Sequence, residues 1–125
     1  MAFTNDTADD LINKLLRNTN WSHAAAHYVG LHTADPGQNG ANENSAYDGD
    51  RKSVTFDAPS SGTSTNAGAV TFPNMPAITV THISIWDAAT GGNFLWGQAL
   101  TASKAVDGGD SFVIAIGDLD VDLTG

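Results

Sequence analysis

Apolar positions set the elements along this chain. Ala8, Leu11, Ile12, Leu15 and Leu16 recur at i, i+3, i+4, i+7 and i+8, the spacing of one helical face. Asn5, Asp6 and Thr7 offer cap-type side chains, Asp9 and Asp10 lie near the start, and Lys14 and Arg17 lie near the end. That charge order suits the helix dipole, so the pattern predicts one helix over about 6–18, stopped by Asn18-Thr19-Asn20. Such a stripe needs a surface to cover it, and the expectation is that it packs on its own domain. There it would cover the second face of a strand at 111–117, which is apolar on both sides through Phe112, Ile114 and Ile116 against Val113 and Ala115.

The rest of the sequence alternates with period two between turn signals. Strands are predicted at 27–33, 51–58, around Val70 and Phe72, at 77–86, 93–100, 103–106, 111–117 and 119–123. Segments 77–86 and 93–100 should pair as a hairpin. A second hairpin is expected around Asp107-Gly108-Gly109-Asp110. Between 78 and 85 the apolar parity flips, from Ile78 and Val80 to Ile83 and Ile85, which calls for a β-bulge near His82 or for two covered faces. Leu119, Val121 and Leu123 alternate with Asp118, Asp120 and Asp122, predicting one dry face and one acidic face. The polar stretch at 36–50 is long enough to act as a flexible arm. The fold class expected is mostly β: a β-sandwich or jelly-roll-like fold of seven to eight short antiparallel strands, at about 26–124, with one N-terminal α-helix. With 125 residues, one domain over 1–125 is expected.

Charge narrows the partners. Fourteen acidic against five basic side chains give a net charge of -9, which would repel a phosphate backbone, so no nucleic-acid partner is expected. No apolar run reaches a membrane-spanning length, and Met1 to Asp6 has neither a basic nor an apolar leader segment. There are no cysteines, hence no disulfide and no thiolate metal site.

Candidate chemistry is sparse. His27 and His32 point to opposite faces of one strand, and His23 and His82 lie elsewhere, so no metal site is predicted. The carboxylates of Asp118, Asp120 and Asp122 splay along a strand rather than converge as calcium ligands do. Ser111 follows a glycine turn with no base in prospect, Glu43 is the single glutamate, and no phosphate loop or cofactor fingerprint occurs. Catalytic residues, cofactors and enzymatic activity are therefore not expected. Trp21, Tyr28, Tyr47, Trp86 and Trp96 are the side chains that could meet a partner, at a protein interface or stacked on a glycan. Core packing is the more ordinary fate of tryptophans in a sandwich.

Several segments together resemble a known family. They are Ala2-Phe3-Thr4-Asn5 before the helix, Val29-Gly30-Leu31-His32-Thr33-Ala34-Asp35-Pro36-Gly37, Gly40-Ala41-Asn42-Glu43, and Val70-Thr71-Phe72-Pro73. Val80-Thr81-His82, the run from Ile85 through Trp86 to Gly92, Ala99 to Lys104, and Gly117-Asp118-Leu119 extend the likeness over nearly the whole chain. The segments are similar to short tailed-phage proteins commonly labelled tail fibre or minor tail proteins. The resemblance implies a virion component and no catalytic residues. The protein is expected to be made in the host cytoplasm and present in several copies or as a homo-oligomer. Its acidic charge, which disfavours a place against packaged DNA, puts it on the outer surface of the particle. A fibre shaft needs length, repeats or a coiled coil, and this chain has none. The favoured expectation is accordingly a capsid decoration or cement protein bound to the major capsid protein. The alternative is a tail fibre or minor tail component bound to tail proteins, with a receptor- or glycan-binding knob as one form of it.

Overall fold

The computed structural model describes residues 2–43 and 51–123. Its elements in chain order are β1 (Ala2–Phe3), α1 (Asn5–Arg17), β2 (His27–His32), β3 (Lys52–Val54), β4 (Thr63–Thr65), β5 (Val70–Phe72), β6 (Ile78–Trp86), β7 (Phe94–Val106), β8 (Phe112–Ile114) and β9 (Asp120–Asp122). The protein is mostly β with one N-terminal helix, as the alternation predicts. A five-stranded sheet runs β1-β7-β6-β2-β3, and two ribbons, β4-β9 and β5-β8, stand beside it. Every pairing is antiparallel.

Sheet and ribbons share one core. Val29 and Leu31 of β2, Val80, Ile83 and Ile85 of β6, and Trp96 of β7 bury their side chains with Val70 and Phe72 of β5 and with Phe112 and Ile114 of β8. Phe72 and Phe112 are register partners, and their rings meet edge-on at 6.3 Å. The parity flip in β6 has its predicted cause: the register with β7 shifts between Val80 and His82, so Val80 and Ile83 reach the same core although they differ by an odd number.

The ribbon connections hang on one amide. Asn66 is fully buried, and its Nδ2 donates to the carbonyls of Gly68 and Ala115 at 2.8 and 3.0 Å. Its Oδ1 accepts the Leu119 N–H at 2.9 Å. The contacts to Ala115 and Leu119 fix the turn at 115–119 that leads β8 into β9, and the one to Gly68 holds the local turn after β4.

Three expectations fail. The predicted hairpin around residues 107–110 does not form, because β8 pairs with β5 rather than with β7. The 107–110 turn instead carries the chain from the sheet to the ribbon, held by hydrogen bonds between Met75 and both Gly109 and Asp110 at 2.7 Å. Nor is 111–117 a doubly covered strand, since Val113 and Ile116 are exposed. Most consequentially, α1 does not cover it. The helix is fastened at its start: Thr4 is the N-cap, its hydroxyl accepting the Thr7 N–H at 3.2 Å while its own N–H donates to the Leu95 carbonyl at 2.9 Å. Beyond that turn Ile12, Leu15 and Leu16 are 54, 81 and 74% exposed. The expected home packing of the stripe is therefore wrong.

The loop after β2 differs too. Residues 33–43 fold back over the second face of β2 and β6, with Thr33 N–H on the Asn42 carbonyl and Ala41 N–H on the Pro36 carbonyl. The described part of the expected arm is thus packed structure, and its remainder, including Tyr47, lies outside the described residues.

Candidate functional site

The second face of the main sheet is wired by a buried polar network. Arg51 is 9% exposed and forks onto Glu43, Nε to Oε2 at 2.8 Å and Nη2 to Oε1 at 3.1 Å. Its Nη1 donates to the Ala88 and Gly91 carbonyls at 2.9 and 2.7 Å, capturing the turn between β6 and β7. The guanidinium carbon stands 3.6 Å above the Trp86 ring. Trp86 Nε1 donates to Ser84 Oγ at 2.8 Å, Ser84 Oγ lies 2.7 Å from His32 Nε2, and His32 Nδ1 lies 2.8 Å from the Ala41 carbonyl. Since a carbonyl only accepts, Nδ1 carries the proton, and neutral His32 receives the Ser84 hydroxyl at Nε2. Burial foremost lowers the His32 pKa, with His82 and Arg51 acting in the same direction and the Ala41 bond and Glu43 opposing. Gly30 is required here, because a Cβ would collide with the Glu43 carboxylate and the Ser84 hydroxyl.

Trp86 also lines an open groove of about 700 Å³. Its apolar lining includes Phe3, Trp86, Phe94 and Trp96, with the Trp86 and Phe94 rings 5.2 Å apart. One wall is the inner side of α1, with Asp6, Thr7 and Asp10. The segment after the helix brings Trp21 and His23, their rings 4.9 Å apart, and the β2–β3 loop brings Gln38 and Asn39. Gln38 Oε1 accepts the Asn5 N–H at 2.8 Å, which ties that loop to the helix start and leaves the amide N–H groups of Gln38 available. On the remaining side Asp87 accepts from Asn93 N and Nδ2 at 2.6 and 2.8 Å. Burial works to raise the Asp87 pKa. The two Asn93 bonds, the backbone of Asp87 itself and nearby His27 outweigh it and hold the carboxyl below its ordinary value.

The structure distributes the five sequence-predicted aromatics. Trp86 and Trp96 are buried, at 7 and 2% exposure, Trp96 as part of the core, and both border the groove. Trp21 is half-buried at its rim. Tyr28, half-buried on β2 opposite Trp86 in register, is outside the lining, and Tyr47 lies outside the described residues. Sequence reasoning missed the Arg51–Glu43 pair and the polar rim of Asp6, Asp10, Gln38, Asn39 and Asp87. The one available signal was a lone glutamate and a rare arginine flanking the same loop. No group of three metal-ligating side chains occurs among the described residues. No helix among them is long and apolar enough to cross a membrane.

A protein-family model described as Podophage GP4 fiber I protein gp80 matches residues 2–122. The chain belongs to this family of phage fibre proteins. The match covers β1 through β9, so the groove, the Arg51 network and the exposed helix all lie inside the family region. Membership in the gp80 fibre family makes the chain a virion structural protein. It gives the capsid-decoration reading no support and favours the fibre alternative. None of the curated proteins matches the chain.

Proposed function

We propose that the protein is a non-enzymatic tail-fibre component, a compact piece on the outside of the particle held by contact with other virion proteins through α1. One observation carries this reading. A helix fixed at its first turn to β7 presents Ile12, Leu15 and Leu16 more than half exposed. Covering a side chain of that size is worth roughly 1.5–3 kcal/mol, and the helix's own domain leaves that gain unclaimed. Scattered apolar side chains on a surface need no explanation, but three on one helical face mark a contact. The family supplies the setting, an assembled virion in which neighbouring proteins are close at hand.

The test is a phage lacking this gene, supplied with wild-type or Leu15→Asp protein. The expected outcome is that the variant accumulates folded but is lost from purified particles. Incorporation of the variant at the wild-type level would remove α1 as the attachment surface.

A further inference from the structure

We propose that the groove between α1 and the sheet binds a saccharide built from neutral or amino-substituted sugar rings and discriminates against acidic ones. The inference goes beyond the attachment role and does not depend on it, since it concerns the inner side of α1 and not the exposed stripe.

Size and composition suit such a ligand. A volume of about 700 Å³ is that of a small-molecule site, open and with apolar rings in its lining. A pyranose ring has an apolar C–H face and a belt of hydroxyls. Trp21, half-buried at the rim, offers an indole face for the first. The rim offers the second its partners. Asp6, Asp10 and Asp87 accept, and the Gln38 amide donates because its oxygen is already engaged by Asn5. Asp87 is fixed rather than free to turn, since each carboxylate oxygen holds one Asn93 bond and retains a lone pair. An apolar peptide segment is a poorer occupant, because it would bury these rim groups without giving them partners.

Charge decides between sugar classes. The groove carries three carboxylates, and among the described residues no lysine or arginine lines it. The chain as a whole is at -9. A uronic acid would add a further negative charge beside three at short range and meet no lysine or arginine in the described lining, only the imidazoles of His23 and His27, whereas an amino sugar would bring the missing fixed cation. Neutral rings lose nothing on this account and keep the stacking and hydrogen bonds.

The experiment uses the full chain against three immobilised probes: a trimer of N-acetylglucosamine, a trimer of glucosamine and a trimer of galacturonic acid. The wild type should be retained by at least one of the first two and bind the acidic trimer at least about tenfold more weakly. Trp21→Ala should weaken binding by about tenfold or more, and Trp21→Phe should restore most of it. Asp6→Asn with Asp10→Asn should narrow the gap between acidic and amino trimers. Retention by none of the probes, equal retention of the acidic trimer, or a Trp21→Ala variant that binds like wild type would each overturn the proposal.

Discussion

Arg51 does at one residue what a disulfide does in other small domains. From the position just before β3, four hydrogen bonds of its guanidinium reach the β2–β3 loop at Glu43 and the β6–β7 turn at Ala88 and Gly91, and its plane lies on Trp86. A lysine cannot reproduce the fork or the stacking. Arg51→Lys should therefore destabilise the protein by about 2–3 kcal/mol, read as a lower denaturation midpoint with unchanged m-value. His32 sets a pH dependence in the same network. Its pKa in the folded protein lies below the ordinary 6.5, so the unfolded chain takes up the proton first as pH falls. The His32 contribution is fully present above about pH 6.5 and declines as pH drops toward the folded-state value. Melting temperature followed from about pH 7.5 to about pH 5.5 should fall more steeply for wild type than for His32→Gln. Equal slopes would mean that His32 is not held neutral.

At the scale of elements, periodicity told which positions share a face but not how far that face is buried: on the predicted dry face of the last strand Leu119 is buried while Leu123 is exposed. The β6–β7 hairpin and the bulge after Val80 follow from alternation and its parity flip, because both are consequences of one strand meeting its neighbour in sequence. What covers an apolar face is a different question, answered by chain topology. Nothing in residues 111–117 distinguishes pairing with β7 from pairing with β5. The structure chooses β5, where Phe72 meets Phe112. The same limit applies to α1. Its stripe was legible and its partner was not, because Thr4 anchors the helix by one end and leaves the far turns clear of the sheet. For the same reason Leu15→Asp, at a position 81% exposed, should alter the isolated protein's stability by no more than about 0.5 kcal/mol. A large loss of stability would mean that the stripe is covered within its own chain after all. The groove was half legible. Its tryptophans could be singled out by type, but its carboxylates and amides come from three separate segments, α1, the β2–β3 loop and the β6–β7 turn, that only the fold gathers.

For the whole molecule, the chain combines a net charge of -9, a single shared core and one helix with an exposed apolar stripe, and it belongs to the gp80 family of phage fibre proteins. On the proposed reading, a compact piece of this kind would contribute to a fibre by docking beside other components, because the chain carries no repeat to extend. The acidic charge fits a position at the particle's exterior, away from packaged nucleic acid. Location on the tail through protein contact can be read directly by labelling and counting this protein on intact virions by cryo-microscopy. Density is expected at the tail, in a small number of copies set by tail symmetry. Density spread over the capsid shell, in numbers comparable to the major capsid protein, would contradict it.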